Sequence, residues 1–256
     1  MGTLRVAVVL PMYNEAGNVE PLLERLDRVR SGWQGELWAL AVDDGSQDET
    51  AARLREAAAR HVWLGTLGHP RNRGMAAAVR TGIAAALARR DPPLDALAFM
   101  DADLTHDPAD LPALLRPLAE GTADFVLGSR YVPGGGMRGV PFARRAVSVL
   151  GNAVVRRLLR VPVRDMTSGY RAARGEVFRA VRLEEDGFGI QLEGTVKAHR
   201  AGFRIAEVPI TLGVRKNGYS KMAYTRAFWL GYARLIVRLA LMSETRLVQR
   251  QPTSSV

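Results

Sequence analysis

Five short apolar runs, at residues 4–10, 37–42, 62–67, 94–100 and 125–127, alternate along the first half of this chain with segments whose apolar residues recur at helical spacing. The helical patterns cover residues 19–30, 49–60, 75–89 and 109–119, and Asp48 stands where the second would be capped. Such alternation makes each helix a crossover between strands that run the same way. It predicts a Rossmann-like, mostly parallel α/β sheet flanked by helices. Ligands in such sheets bind beyond the carboxyl ends of the strands. The residues just after each apolar run are therefore where function should be sought.

Four of those ends are polar and distinctive: Pro11-Met12-Tyr13-Asn14-Glu15, Asp43-Asp44-Gly45-Ser46, Asp101-Ala102-Asp103 and Gly128-Ser129-Arg130-Tyr131. Any one of them alone reads as turn or cap chemistry. Four converging on one rim of a sheet read as a binding site. The sharpest is the Asp101/Asp103 pair. Two carboxylates two residues apart can share a divalent cation, and hard oxygens suit Mg²⁺ or Mn²⁺, which also take phosphate oxygens.

Further along, Arg144, Ser148 and Asn152 recur at every fourth position of a mostly apolar run. They could hold an anion, but spacing alone favours a solvent-facing polar stripe. Between residues 143 and 164 there are six arginines and no acidic residue, which suits a surface facing anionic lipid. Nucleic acid ranks lower as a partner, because no aromatics interleave with these arginines as stacking platforms would. The glycines of residues 133–139 suit a mobile flap or a plain surface loop. Arg215, Lys216 and Lys221 lie in a glycine-containing segment that could close over a diphosphate or be a basic surface loop.

The last apolar stretch, residues 224–242, places Arg226, Arg234 and Arg238 on one arc and Phe228, Tyr232, Leu235, Ile236 and Leu239 opposite. This pattern suits a helix in a membrane interface and equally a helix packed on a sheet. No stretch of 18 residues lacks a charge, so no membrane-spanning helix is expected. The first residues carry too short an apolar run for a signal peptide. The net charge of +10 points to anionic partners, and the absence of cysteine excludes disulfides and thiolate chemistry and fits a reducing compartment. One catalytic domain is expected over residues 1–222, then an amphipathic helix over 223–247 and a disordered tail over 248–256.

Taken in order, PMYNE, VDDGSQDET, NRGMAAAVRTG, MDADLTHDP, GSRYVPGG, R-x3-S-x3-N, DMTSGYR, GIQLE and RKNGYSK resemble the dolichol-phosphate mannose synthases and related polyprenol-phosphate glycosyltransferases, in family 2 of inverting, GT-A-fold enzymes. The first four motifs resemble the wider family and the last five that branch. The resemblance implies that Pro11, Tyr13, Glu15, Asp43 and Asp44 line a nucleoside pocket. It implies that Asp101, Ala102 and Asp103 meet the donor diphosphate, the two carboxylates holding the metal. Arg130, Arg144 and Ser148 would bind the acceptor phosphate, with Arg215 and Lys221 closing on the donor phosphates. It gives no separate roles to Asp165, Ser168, Gln191 and Glu193, and Thr105 stands where some relatives have glutamine beside the metal.

The implied activity is transfer of a sugar from GDP-mannose or UDP-glucose to polyprenyl phosphate by a protein peripheral to the cytoplasmic membrane face. Many relatives carry C-terminal spanning helices that this chain lacks, which implies the amphipathic segment or a membrane-anchoring partner protein. The rival within the family is transfer to a sugar hydroxyl. That reaction needs a carboxylate base, for which Glu193 or Asp165 could serve. A non-catalytic binding subunit is a third reading, and the complete set of Asp101, Asp103, Arg130 and Arg144 argues against it.

Overall fold

The computed structural model describes residues 3–89, 93–215 and 225–242. Strands β1 (Arg5–Met12), β2 (Glu36–Asp43), β3 (Leu64–Gly68), β4 (Ala96–Phe99) and β5 (Phe125–Ser129) form where the apolar runs predict them. Helices α1 (Ala16–Ser31), α2 (Thr50–Arg60), α3 (Met75–Ala88) and α4 (Leu111–Ala119) fill the gaps between them. Beyond these lie a two-residue strand β6 (Gly136–Met137), helix α5 (Phe142–Leu159), strand β7 (Arg171–Arg174), helices α6 (Gly175–Ala180) and α7 (Ile190–Arg200), strands β8 (Ile205–Pro209) and β9 (Thr211–Leu212), and helix α8 (Arg226–Leu241).

The main sheet has seven strands in the order β3-β2-β1-β4-β7-β5-β8. All run parallel except β7, which is antiparallel to both of its neighbours. One rim therefore gathers the carboxyl ends of β1, β2, β4 and β5 together with the chain entering β7. Pro11 is tolerated inside the central strand β1 because β4 ends opposite Val9, so no ladder partner waits for the missing N–H.

Glu49, not Asp48, holds the N-cap position of α2, and Asp48 stands just before it. The Asp48 carboxylate accepts the Thr50 amide at 2.9 Å and hydroxyl, and also the Ala16 amide at 3.2 Å. One side chain thus ties the first turns of two helices together.

One core cluster lies between β1, β2 and β4 and the helices α1, α2 and α4; a second lies around β5, α7 and α8. Leu235 and Leu239 of α8 are buried in the second. Arg238, expected on a free polar arc, pairs with Glu185 at 2.9 Å. The packed-helix reading therefore holds for this face, while Trp229, Leu230, Val237 and Leu241 point outward and are exposed. No helix among the described residues is long and apolar enough to cross a membrane.

Two expectations change. The 133–139 segment is not a plain surface loop. Gly136 donates to Ile210 and Arg138 to Leu212, which pins it as the β6/β9 pair. The Arg144–Ser148–Asn152 stripe does not face solvent at its described positions. Asn152 is buried and Ser148 half-buried, whereas Phe142, Val147, Leu150, Val154 and Leu158 of the same helix are exposed. Helix α5 turns Ser148 and Asn152 inward and leaves a row of large apolar side chains outside, while Val155 and Leu159 near its end pack into the second core cluster.

Candidate active site

The ends of β1 and β2 are stitched to each other. The Asn14 amide donates to Ser46 Oγ at 2.9 Å, Gln47 donates to Asn14 Oδ1 at 2.8 Å, and Glu15 donates to Thr50 Oγ1 at 2.8 Å. Glu15 in turn accepts from Asn18 Nδ2 at 2.6 Å. Asp43 accepts the Ser46 amide at 3.2 Å, which closes the turn after β2. Asp44 does more. It accepts the backbone amides of Arg73 and Gly74 at 2.9 and 2.7 Å and contacts His69 Nδ1 at 2.6 Å, while His69 Nε2 lies 2.9 Å from Thr81 Oγ1. Gly45 has φ +70°, and a β-carbon there would lie 2.3 Å from the backbone of Arg71, so the turn after β2 and the loop before α3 close only over a glycine. Asp44 thus builds the wall in which the resemblance places the nucleoside. His69 was not foreseen from the sequence.

After β4 the chain turns sharply. Leu104 takes the left-handed conformation at φ 63°, rare for a branched apolar residue. The turn brings the Thr105 amide (3.0 Å) and hydroxyl (2.6 Å) onto Asp103 Oδ1, and Arg215 contacts Oδ2. Burial opposes the charge on Asp103. The Thr105 hydrogen bonds and Arg215 outweigh it and hold the carboxyl below its ordinary pKa. Asp101 is pushed the other way, upward, first by burial and then by the Asp103 and Glu15 charges. Because 42 % of its side chain stays open to the cleft, desolvation acts on it only in part. Its backbone amide donates to His106 Nδ1 at 3.0 Å, which puts the imidazole proton on Nε2. His106, also unforeseen, is stacked on Tyr170 at 4.9 Å between ring centres.

The carboxylate pair fits a hard divalent cation. A β-carbon at Gly169 would lie 3.2 and 3.4 Å from the two Asp101 oxygens, so the glycine keeps that carboxylate clear. Asp103 Oδ1 takes both Thr105 hydrogen bonds, so Oδ2, which meets Arg215, is the oxygen with lone-pair capacity for a cation. No group of three or more His, Cys, Asp or Glu able to hold a metal occurs among the described residues. Two carboxylates completed by phosphate and water oxygens is a donor set that suits Mg²⁺ or Mn²⁺.

The chain entering β7 explains the motif that had no assigned roles. Asp165, fully buried, grips Arg130 through both oxygens at 2.7 Å and accepts the Arg130 amide at 3.0 Å; Thr167 adds a contact at 3.1 Å. Burial works against the guanidinium charge, but Asp165 outweighs it and raises its pKa. Arg130 is thus a clamped cation at the end of β5, with part of its donor fork still available. Ser148 reaches the site wall through the Tyr131 hydroxyl at 2.6 Å, and Asn152 accepts the Met166 amide at 3.1 Å. The Arg144 side chain and Lys221 lie outside the described residues, and Arg215 meets Asp103. Glu193 is fully buried, 2.8 Å from Lys197 Nζ, and accepts the Glu184 and Glu185 amides at 2.9 and 2.8 Å.

A sheet of this order, with an acidic pair after its fourth strand and a β1–β2 pocket beside it, is the GT-A glycosyltransferase fold. Glucosyl-3-phosphoglycerate synthase from Mycobacterium tuberculosis, solved with Mn²⁺, UDP and glucosyl-3-phosphoglycerate, superposes with a TM-score of 0.65 at 21% identity, over 95% of this chain and 80% of that one. The chain belongs to glycosyl transferase family 2, whose model matches residues 7–182. It is 39% identical to the undecaprenyl-phosphate mannosyltransferase of Micrococcus luteus (86% of this chain, 88% of that protein) and 37% identical to the polyprenol monophosphomannose synthase of Mycolicibacterium smegmatis (86% and 82%). It is also 34% identical to the dolichol-phosphate mannosyltransferase of Pyrococcus furiosus over 92% of its length, spanning 64% of that protein. The resemblance read from the motifs is borne out.

Proposed function

We propose that this protein transfers a hexosyl group, mannose or glucose, from GDP-mannose or UDP-glucose to polyprenyl phosphate at a membrane surface, with inversion at the anomeric carbon. The observation that carries the reading is the inverted helix α5. Ser148 and Asn152 meet the site wall, while Phe142, Val147, Leu150, Val154, Leu158 and the neighbouring arginines face outward. A lipid whose phosphate enters the site and whose tail stays outside suits such a wall, and an anionic membrane suits the arginines. The outward apolar face of α8 extends the same character, with the protein peripheral on the cytoplasmic side. A separate anchoring protein is compatible with this arrangement.

In the proposed reaction an acceptor phosphate oxygen attacks the anomeric carbon and the nucleoside diphosphate leaves from the opposite face. A phosphate monoester, with a second pKa of about 6, is already largely an anion at neutral pH and needs no strong base. The two carboxylates that a hydroxyl-acceptor enzyme would use, Asp165 and Glu193, are both fully buried and committed to Arg130 and Lys197, which favours the phosphate acceptor. Arg130, with Arg144 and Ser148, is assigned to orient the incoming phosphate. Arg215 and Lys221 are assigned to the donor phosphates, and the β1–β2 pocket to the nucleoside. Asp101 and Asp103 would hold Mg²⁺ or Mn²⁺, which when bound offsets the negative charge on the leaving diphosphate. Catalysis is then positioning plus electrostatics.

The test is a transfer assay with radiolabelled GDP-mannose and UDP-glucose, a short polyprenyl phosphate and Mn²⁺ or Mg²⁺, comparing wild type with Asp103→Ala. Metal-dependent label in the lipid fraction, lost in the variant, supports the reading. Label passing instead to a soluble saccharide overturns it in favour of the hydroxyl-acceptor reaction.

A further inference from the structure

Arg171 opens β7 opposite Phe99, only 4 % exposed, in surroundings that include Phe125, Val177 and Phe178. Its guanidinium donates to neutral acceptors: Nε (2.9 Å) and Nη2 to the Ser168 carbonyl, and Nη1 to the Gln191 carbonyl at 2.8 Å and Thr195 Oγ1 at 3.3 Å. A buried cation is costly, and an apolar side chain of similar length would suit these surroundings better. Burial drags its pKa down to about 9, partly opposed by the charges of Asp165 and Asp101, so it stays charged at neutral pH. What the cation does there is hold a turn.

We propose that Arg171 is a positioning residue for the Asp101 carboxylate, acting through the Ser168–Gly169–Tyr170 turn whose contact face is Gly169. The inference rests on the reading that Asp101 and Asp103 hold a divalent cation. The chain of contact is short, running from the buried Arg171 and Ser168 to Asp101 at the cleft. Arg171 fixes the Ser168 carbonyl; Gly169, the next residue, faces both Asp101 oxygens and His106, so close that an added β-carbon would lie 3.2 to 3.4 Å from them. Tyr170 donates its hydroxyl to the Asp107 carbonyl at 3.0 Å and stacks on His106, whose Nδ1 takes the Asp101 amide. Asp101 is thus held at its backbone by His106 and bounded at its carboxylate by Gly169, and both supports lead back to the turn that Arg171 clamps. Nη1 fastens the same guanidinium to α7, so the turn is referenced to a helix as well as to the sheet. A lysine offers a single ammonium and cannot span both carbonyls with a planar fork.

The experiment measures Mn²⁺ binding by electron paramagnetic resonance, with and without UDP or GDP, for wild type, R171K, R171M and G169A. Groups that orient metal ligands typically contribute about 10- to 100-fold in affinity. The proposal expects Mn²⁺ affinity to fall about 10-fold or more in R171M and G169A and less in R171K, while nucleotide binding in metal-free buffer stays as in wild type. In turnover, kcat should fall and the metal requirement rise, with the KM for polyprenyl phosphate unmoved. Wild-type Mn²⁺ affinity in both R171K and G169A overturns the proposal, and these two mild variants decide the matter if R171M does not fold. If the wild type binds no Mn²⁺ with either nucleotide, the metal reading itself fails and takes this inference with it.

Discussion

At the ends of β1 and β2, polar groups are bonded to neighbouring loops: the Asn14 backbone amide to Ser46 and its side chain to Gln47, Asp48 to two helix starts, Asp44 to His69 and two amides. Helix α5 is built the other way, with two polar side chains turned inward and a row of large apolar ones left outside. The first region follows the ordinary rule for a site facing water: polar groups saturate one another and the pocket is stiff before any ligand arrives. On the proposed function the second faces a membrane surface, into which exposed apolar side chains can partition. On the same proposal, the donor pocket is preorganised by its own hydrogen bonds and acceptor binding depends on a membrane surface.

Four changes would break or sharpen that contrast. Asp103→Ala removes a carboxylate from the proposed metal pair and should lower transfer about 100-fold or more, measured as kcat with saturating substrates. Asp165→Asn leaves the Arg130 guanidinium largely buried without its counter-charge, and urea unfolding should show a loss of about 3 kcal/mol; a change within about 0.5 kcal/mol would mean the clamp is not structural. A Leu150→Glu/Leu158→Glu double variant of α5 should lose about 10-fold in binding to vesicles rich in anionic lipid, by flotation, because two exposed apolar side chains no longer partition. Its stability should stay within about 1 kcal/mol of wild type, since both residues already face outward. Equal vesicle binding would remove the contrast.

The smallest effect is on pH dependence. Asp95 and Asp124 are held below the ordinary carboxylate pKa, foremost by side-chain hydrogen bonds from Arg5 and Arg204 respectively. A depressed folded-state pKa contributes stability above the unfolded value and loses it as pH falls through the folded one. The melting temperature should therefore drop below about pH 4, and Asp124→Asn should flatten that drop while lowering stability slightly at neutral pH.

Most of the sheet was legible because β1, β2, β4 and β5 are buried apolar runs closed by polar turns. Asp101 and Asp103 were legible for the same reason, since two carboxylates at the end of a buried strand stand out. What periodicity did not supply was orientation. It separated two faces of α5 and then assigned Ser148 and Asn152 to solvent, because periodicity shows that a helix has two faces and not which of them packs on the protein. Nor did it supply long-range partners. The link from Asp165 to Arg130 spans 35 residues, His69 reaches Asp44 across 25, and Arg171 acts on backbone carbonyls that no side-chain pattern records. His106 was in plain view beside Asp101, but a lone histidine after an acidic pair signals no role until its ring is seen accepting the Asp101 amide.

The single reversed strand has a consequence for how this protein is made. When residues 3–99 have left the ribosome, β3, β2, β1 and β4 can pair, yet β4 remains an open edge whose four residues are all buried in the finished molecule. Its neighbour β7 is translated some seventy residues later, and β5, made in between, has no partner until β7 and β8 arrive. The nascent chain therefore carries an unpaired apolar strand for seconds at ordinary translation rates of about 5–20 residues per second. Synthesis order makes residues 171–174 the keystone of the sheet, and premature termination before them leaves a sticky half-sheet.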